Sequence, residues 1–253
     1  MMDRYYPVVH ADGRRHLDGT LPFYEWLEGS LDRNDLVLNV GAGPTPPEAF
    51  RHMRGKVHRL VSVDPDPVVL TNTDLDEAFV NDGVRLPFPD GTFDAAYSDW
   101  TLEHVDLPKP FLAEVYRVLK PGASFWFRTP NRLHYISTIA ALTPHWFHRL
   151  VVRPAFGGVA THDPWPTHYR MNCPRRLRKL LRNAGFAEVE LRTIESYPGY
   201  LKFNAIAFLT GIAYERPVNR FIALSGFRHF ILGRAHKPST AISAGTAKSS
   251  CGS

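Results

Sequence analysis

The chain has 253 residues, 44% apolar and 12% aromatic, which is enough to bury the core of one α/β domain that carries an insertion or extension. Its start lacks the apolar core of a signal peptide, and its most apolar later stretch, residues 203–213, is too short and interrupted to span a bilayer, so we expect a cytoplasmic protein. Cys173 and Cys251 lie far apart without CxxC spacing, which argues against a disulfide framework or a zinc ribbon.

The charge is divided unevenly along the chain. Residues 1–130 hold 13 Lys and Arg against 20 Asp and Glu, whereas residues 131–253 hold 17 against 5. A strongly basic half is typical of a protein that meets an anionic substrate, a membrane surface or nucleic acid, and a solvated basic face explains it equally well. These alternatives stay open.

The first elements are a helix and a strand that leads into a glycine turn. A helix is predicted around residues 21–31, because its large apolar side chains recur on one face at helical spacing. Residues 36–40 then read as a strand buried on both faces, with Asn39 as its one polar residue. Gly41 and Gly43 permit a close ligand approach, and residues 45–48 have the form of a capping box with proline at the first helical position. We therefore expect the strand end to face a helix N-terminus.

A second strand is predicted at residues 59–63, and Asp64 stands at its end. Asp64 lies 21 residues after Gly43. An acidic residue about 20 positions after a glycine turn is where a Rossmann-type fold accepts hydrogen bonds from ribose hydroxyls. Taken alone, Asp64 could also cap the Asp-Pro-Asp-Pro turn that follows it.

The rest of the chain alternates between strand and helix patterns. It predicts strands at 93–98, 124–129 and 187–193, helices at 111–119, 136–142, 144–152 and 174–184, and an antiparallel strand at 228–236. We expect an α/β, doubly wound, Rossmann-like sheet of seven mostly parallel strands, with an antiparallel last strand and a helical cap after strand five. The predicted parts are a lead at 1–34, a cofactor-binding core at 35–130, a substrate cap at 131–173, the rest of the core sheet at 174–238 and a disordered tail at 239–253.

Several motifs in this order resemble class I S-adenosylmethionine-dependent methyltransferases, in the small-molecule group that includes enzymes of ubiquinone and menaquinone biosynthesis. VLNVGAG matches the glycine motif, and NDGVRLPFPDGTFD matches the Leu-Pro-Phe segment. TLEHV matches the helix after strand four, and VLKPGA the turn before strand five. The resemblance covers residues 36–130. The chain departs from the family at Asn39, where an acid is usual, and at Thr45, where a third glycine is common.

The resemblance implies S-adenosylmethionine as cofactor and indicates where it would lie. The glycine turn would pass along the methionine and ribose portion, Asp64 would hold the ribose hydroxyls, and Asp82 would face the adenine amine. Asn39 can still accept a hydrogen bond, but it brings no charge opposite the cofactor's ammonium group. The residues so assigned are Asn39, Gly41, Ala42, Gly43, Asp64, Pro65, Asp82, Gly83, Ser98, Asp99 and Trp100.

The expected reaction is methyl transfer to an oxygen, nitrogen or carbon of a small-molecule acceptor, and alignment of the reactants supplies most of the rate enhancement. His104 and His168 are candidate general bases for a hydroxyl acceptor, and His104 could equally be a packing residue. Four histidines of the cap, with Asp163, make a metal site conceivable, but a polar pocket explains them more simply and no metal is predicted.

Partners are less well defined by the sequence. Strand four ends in Ser98-Asp99-Trp100, without the Asn/Asp-Pro-Pro-aromatic motif of exocyclic-amine methyltransferases, which argues against a nucleic acid partner. Arginines of the cap could attract an acidic or phosphate-bearing acceptor, and residues 203–213 could make a peripheral membrane contact. RNA methylation and a non-catalytic S-adenosylmethionine-binding module remain alternatives. The oligomeric state is not predicted.

Overall fold

The computed structural model describes residues 19–82, 84–142, 166–201 and 204–239. Within these ranges, seven strands form one sheet in the order β3-β2-β1-β4-β5-β7-β6. The pairings among β1 to β5 are parallel, whereas β7 is antiparallel to both β5 and β6. The predicted fold class is therefore confirmed. The strands are β1 Leu36–Val40, β2 Arg59–Asp64, β3 Glu77–Val80, β4 Phe93–Asp99, β5 Leu119–Pro130, β6 Ala187–Ile194 and β7 Phe230–His236.

Helices cover both faces of this sheet. Apolar side chains of α1 pack with one face of β1 and β4, while α2 and α4 pack on the opposite face. Because successive residues of a strand point to opposite faces, the two cores share the same strands. The helices are α1 Thr20–Glu28, α2 Pro108–Val118, α3 Tyr135–Leu142, α4 Pro174–Asn183 and α5 Ala205–Arg220.

The helix expected directly after the glycine turn is absent from the described residues, and that prediction was wrong. Only a short 3-10 helix, Ala49–Arg51, follows the turn. Residues 43, 45 and 46 each precede a proline, which disfavours the α-helical conformation of the residue before it, so a helix start is disfavoured there. The Thr45 hydroxyl accepts a hydrogen bond from Thr73 N at 2.8 Å instead of capping a helix. Within the described residues, the glycine turn therefore does not lead into the N-terminus of an α-helix.

Two other segments differ from the sequence prediction. Residues 101–105, expected to be helical, form a turn in which His104 N donates to Thr101 O at 2.9 Å. Residues 120–122, expected to form the turn before strand five, lie inside β5. A shift of register between Phe93 and Ala95 of β4 accommodates this irregular segment.

The C-terminal part contains a helix that the sequence analysis noted only as an apolar stretch. Helix α5 begins after Asn204, whose side-chain oxygen accepts from Ile206 N and Ala207 N. In β7, a Cβ at Gly233 would lie 2.1 Å from Phe127 Cζ, so the glycine lets that ring lie across the strand. No helix in the described ranges is long and apolar enough to cross a membrane. The predicted helix at 144–152 and residues 240–253 of the predicted tail lie outside those ranges.

Candidate functional site

The glycine turn lies at the carboxyl edge of the sheet, packed against the turn that follows β4. Gly41 has a φ of 81° and donates from its N–H to Val63 O at 2.8 Å. The Thr101 hydroxyl contacts Val40 O at 3.3 Å and Gly41 O at 3.2 Å. A Cβ at Gly41 would lie 2.3 Å from Thr101 Oγ1, so only glycine fits there. Residues 41–43 are thus tied to both neighbouring strands.

Asp64 links the glycine turn to the end of β2. Its Oδ2 accepts from Gly43 N at 2.9 Å, and its Oδ1 accepts from Asp66 N at 2.8 Å, across Pro65. Burial raises the pKa of the Asp64 carboxyl, and the two backbone N–H donors oppose that rise. Each carboxylate oxygen has a further lone pair, so the group can still accept a hydrogen bond from a ligand hydroxyl. Asn72 Nδ2, which the sequence did not single out, donates to Gly43 O at 3.0 Å.

Several buried polar side-chain atoms have no hydrogen-bond partner within the described residues, and two of these atoms belong to β1 and β4. They are Asn39 Oδ1 in β1 and Ser98 Oγ in β4. Asn39 pairs in register with Tyr97, so Asn39 and Ser98 point to opposite faces of the sheet. A buried acceptor left unsatisfied is costly, and a bound donor would relieve that cost. Asn39 Oδ1 therefore fits a ligand that brings an N–H group to the end of β1.

Asp99, at the end of β4, forms a buried ion pair. Arg128 Nε donates to its Oδ1 at 2.7 Å and Arg128 Nη2 to its Oδ2 at 3.1 Å. Tyr24 OH and Arg51 Nη2 reach the same Oδ2 at 3.2 and 3.4 Å. The Arg128 side chain is only 1% exposed, and it also bonds to the Thr20 hydroxyl of α1. The carboxylate thus holds α1 and β5 against β4, a role that strand patterns could not reveal.

Trp100 follows Asp99 in an unusual backbone conformation. Its φ is 59°, which is uncommon for a bulky residue and costs conformational energy. The indole packs edge to face on Phe230 at 5.3 Å between ring centres, and the Arg128 guanidinium lies 5.3 Å from the indole centre. The side chain stays 37% exposed, so it presents an aromatic surface at this edge. Asp82 lies just beyond β3, exposed, with Oδ1 accepting from Val84 N at 2.9 Å, and Gly83 lies outside the described residues.

The two candidate histidines lie in neighbouring segments. His104 Nδ1 is 3.0 Å from Pro166 O, and the backbone N–H of His168 donates to Glu103 O at 2.7 Å. His168 Nδ1 is 3.6 Å from Asp106 Oδ1. Backbone and side-chain contacts therefore join the turn after β4 to the segment at 166–172.

Glu103, which the sequence analysis passed over, is buried between those histidines and β5. Its side chain is 3% exposed, and its Oε2 accepts from the Thr129 hydroxyl at 3.0 Å. Burial raises the pKa of the Glu103 carboxyl to about 7, because the charged form loses its hydration. A buried acid whose pKa is raised toward neutrality is a functional-site signal. Only its place in the fold makes this signal visible.

A second buried cluster contains His134, Glu195 and His229, whose ligand atoms lie within 4.8 Å of one another. His134 Nδ1 accepts from Ile136 N at 3.3 Å, so the neutral ring carries its proton on Nε2, which donates to Glu195 Oε1 at 3.1 Å. The two imidazole rings are stacked at 4.2 Å, a geometry that does not aim both at one ion. We assign the cluster to joining α3, β6 and β7. The predicted histidine cluster of the cap, apart from His168, lies outside the described residues.

Comparisons with known proteins agree with this geometry. A family model described as "Methyltransferase domain" matches residues 38–127. The demethylmenaquinone methyltransferase of Symbiobacterium thermophilum is 29% identical over 130 residues, which are 46% of this chain and 49% of that protein. A ubiquinone/menaquinone biosynthesis C-methyltransferase of Dinoroseobacter shibae is 30% identical over 121 residues, 46% of this chain and 47% of that protein. The chain thus spans about half the length of the curated relatives it matches.

The likeness to solved structures extends over nearly the whole fold. The crystal structure of the [4+2]-cyclase SpnF superposes with a TM-score of 0.58 at 20% identity, over 92% of this chain and 86% of that one. At this identity the likeness shows the fold alone. Residues 38–127 match a methyltransferase domain, and the sheet around them has the fold seen in class I S-adenosylmethionine-dependent methyltransferases. S-adenosylmethionine is the cofactor of that class, and the resemblance seen in the sequence is confirmed.

Proposed function

We propose that this protein binds S-adenosylmethionine at the carboxyl edge of β1, β2 and β4 and transfers its methyl group to a small-molecule acceptor. The observation that carries the proposal is the glycine turn held on Asp64. The 2.9 Å hydrogen bond from Gly43 N to Asp64 Oδ2 fixes the backbone where a nucleoside would lie. It also holds the Asp64 carboxylate at the end of β2. Asn39 Oδ1, buried without a donor in the described residues, supplies an acceptor for the methionine ammonium group.

The chain's own residues would bind the cofactor, orient the acceptor and remove the acceptor's proton. The cofactor supplies an electrophilic methyl group, and the protein supplies the alignment that converts a bimolecular reaction into an intramolecular one, worth roughly 7 to 11 kcal/mol of the barrier. Asp64 would hold ribose hydroxyls, and Asp82 would accept from the adenine amine. Trp100, exposed and fixed by Phe230, would line the acceptor side of the methyl group. His104 would take the proton of a hydroxyl acceptor.

An anionic acceptor has less support from the described residues than from the sequence. Arg170, one of the cap arginines expected to attract such an acceptor, pairs with Asp106 at 2.6 Å. Its charge is therefore largely neutralised within the chain. Arg132, the other cap arginine within the described ranges, is exposed, and residues 149 and 153 lie outside those ranges. We therefore propose a neutral small molecule ahead of a phosphate-bearing one.

Transfer of label from methyl-labelled S-adenosylmethionine tests the activity. The acceptor panel should hold phenols, amines, activated carbon acids and, as a separate arm, bulk RNA. We expect label to move to a small molecule, with release of S-adenosylhomocysteine. Asp64→Asn should lose most of the rate, whereas Asp90→Asn, an exposed position before β4 at the opposite edge of the sheet, should retain it. Label found only in RNA would replace the small-molecule proposal with the RNA alternative.

A further inference from the structure

We propose that Glu103 is a positioning residue that shares one proton with His104, and that the pair adapts the site to an acceptor carrying a hydroxyl group. This inference deepens the proposed function and rests on it. His104 would be the group that meets the acceptor, and Glu103 would act through His104 from a buried position behind it.

A chain of donors fixes which Glu103 oxygen can carry a proton. Asn172 Nδ2 donates to Thr129 Oγ1 at 2.5 Å. The amide nitrogen can only donate, so the single hydroxyl proton of Thr129 goes to Glu103 Oε2 at 3.0 Å. Oε2 is therefore an acceptor, and a proton on the neutral acid resides on Oε1. Oε1 is the atom that faces His104.

The tautomer of His104 is fixed in the same way. Its Nδ1 lies 3.0 Å from Pro166 O, and a carbonyl oxygen can only accept, so Nδ1 carries the proton of the neutral ring. Nε2 is then the basic nitrogen, and it lies 4.0 Å from Glu103 Oε1. That separation is too long for a direct hydrogen bond, and one water or a small side-chain rotation spans it. The His104 side chain is 30% exposed, which gives an acceptor access to the ring.

Burial brings the proton affinity of Glu103 into the range in which histidine side chains ordinarily titrate. Burial raises the pKa of Glu103 to about 7, close to the usual value for a histidine. Hydrogen bonds from its own backbone N–H and from the Thr129 hydroxyl oppose that rise, and the charges of Asp99 and Arg128 act in opposite directions. Asp64, on the β2 side, interacts electrostatically with His104. Two neighbouring groups that titrate in the same range do so as a pair.

The charges on the outer side of the pair neutralise one another. On the 166–172 segment, Arg170 Nη2 lies 2.6 Å from Asp106 Oδ1, and His168 Nδ1 lies 3.6 Å from the same oxygen. Those groups therefore add little net field at Glu103. The proton affinity of Glu103 is set mainly by burial, which the hydrogen bonds from its own backbone N–H and from the Thr129 hydroxyl oppose.

The proton balance of the step follows from these positions. The acceptor's O–H bond breaks, and its proton passes to His104 Nε2, while an oxygen lone pair forms the new bond to the methyl carbon. The electron pair of the C–S bond stays on sulfur. The imidazolium that forms lies next to the Glu103 carboxylate, which stabilises it or takes its proton. An acceptor with an acidic hydroxyl, such as a phenol, fits a base of this strength best.

Histidine titration by NMR tests the coupling without any acceptor. The Cε1–H signal of His104, assigned by its loss in His104→Gln, should titrate with two inflections between about pH 5 and 8 in the wild type. Glu103→Gln should leave one inflection and lower the midpoint by about half a unit or more. Glu215→Gln, at another buried glutamate in α5, should leave the His104 curve unchanged. An identical His104 curve in wild type and Glu103→Gln would overturn the proposal.

Thr129→Val gives a second test that does not depend on the Gln variant folding. Removing the donor to Oε2 removes a contact that lowers the Glu103 pKa, so the inflection assigned to Glu103 should move to higher pH. An inflection that moves down or stays in place contradicts the assignment. Backbone amide spectra of each variant establish that the fold is retained.

Calorimetry with S-adenosylmethionine separates this inference from the proposed function. If the wild type does not bind the cofactor, the proposed function fails, and the Glu103–His104 coupling is judged by the titration alone. If wild type and Glu103→Gln bind it equally, the acid limb of the rate with a phenolic acceptor should move to lower pH in the variant. An unchanged pH profile would leave Glu103 a packing residue and overturn the inference.

Discussion

Replacing Asp99 by Asn should destabilise the fold strongly, because it leaves a buried guanidinium without its counter-charge. The Arg128 side chain is 1% exposed and that of Asp99 6%, so neither charge is well hydrated. Removing one partner of a buried ion pair costs about 3 to 5 kcal/mol. For a chain of this size, each 1 kcal/mol lowers Tm by roughly 2 to 4 °C. We therefore expect Tm to fall by about 6 to 20 °C.

Urea and thermal denaturation would measure this loss, with an exposed ion pair as control. Lys56 Nζ lies 2.7 Å from Glu28 Oε2, but those side chains are 34% and 50% exposed. Glu28→Gln should therefore cost no more than about 1 kcal/mol. Asp99→Asn combined with Arg128→Met should be more stable than Asp99→Asn alone, because the second change removes the stranded charge. Equal costs for Asp99→Asn and Glu28→Gln would refute the buried pair.

Three further changes test other parts of the account. Gly41→Ala places a Cβ 2.3 Å from Thr101 Oγ1 at a φ of 81°, so calorimetry should show the affinity for S-adenosylmethionine falling at least about tenfold. At Gly43 an added Cβ would have no atom within 4 Å, so Gly43→Ala should lose less of that affinity. The pKa of Glu103 is raised from 4.5 to about 7, so the wild type should lose stability as pH rises through that window, by at most about 3 kcal/mol. Urea unfolding between pH 4 and 8 should show this loss, and Glu103→Gln should lack it. Asn39→Asp should lower the Tm of the free protein and increase the gain in Tm on adding S-adenosylmethionine, since a buried carboxylate has no donor there among the described residues until an ammonium group binds.

The sequence predicted six of the seven strands, because buried strands carry their own local signal; no range was predicted for β3, whose residues are half-buried or exposed. Apolar runs at β1 and β2 and the spacing from Gly43 to Asp64 depend on residues close in the chain. The 2.9 Å bond between those two residues is the structural counterpart of that spacing. The helix after the glycine turn was predicted wrongly, because the Thr-Pro-Pro-Glu pattern was interpreted as a cap, whereas each proline disfavours the helical conformation of the residue before it.

The site was harder to predict where its chemistry depends on tertiary contacts. The residues near Asp99 in the sequence do not indicate that Arg128, on the next strand, forms a buried ion pair with it. In the sequence, Glu103 is only one residue of the TLEHV motif. Its unusual burial becomes visible only in the structure, where Thr129 and the 166–172 segment contact it. Burial and hydrogen-bond direction set the pKa of such a group, and both are properties of the fold.

Isothermal calorimetry of S-adenosylmethionine binding tests the central claim most directly. We predict one site per chain in the wild type, with the affinity lowered about 10- to 150-fold in Asp64→Asn, as expected when hydrogen bonds to a charged group worth about 1.5 to 3 kcal/mol are weakened. Asp90→Asn, at the opposite edge of the sheet, should bind as the wild type does. Absence of binding in the wild type, or equal affinity in wild type and Asp64→Asn, would contradict the account.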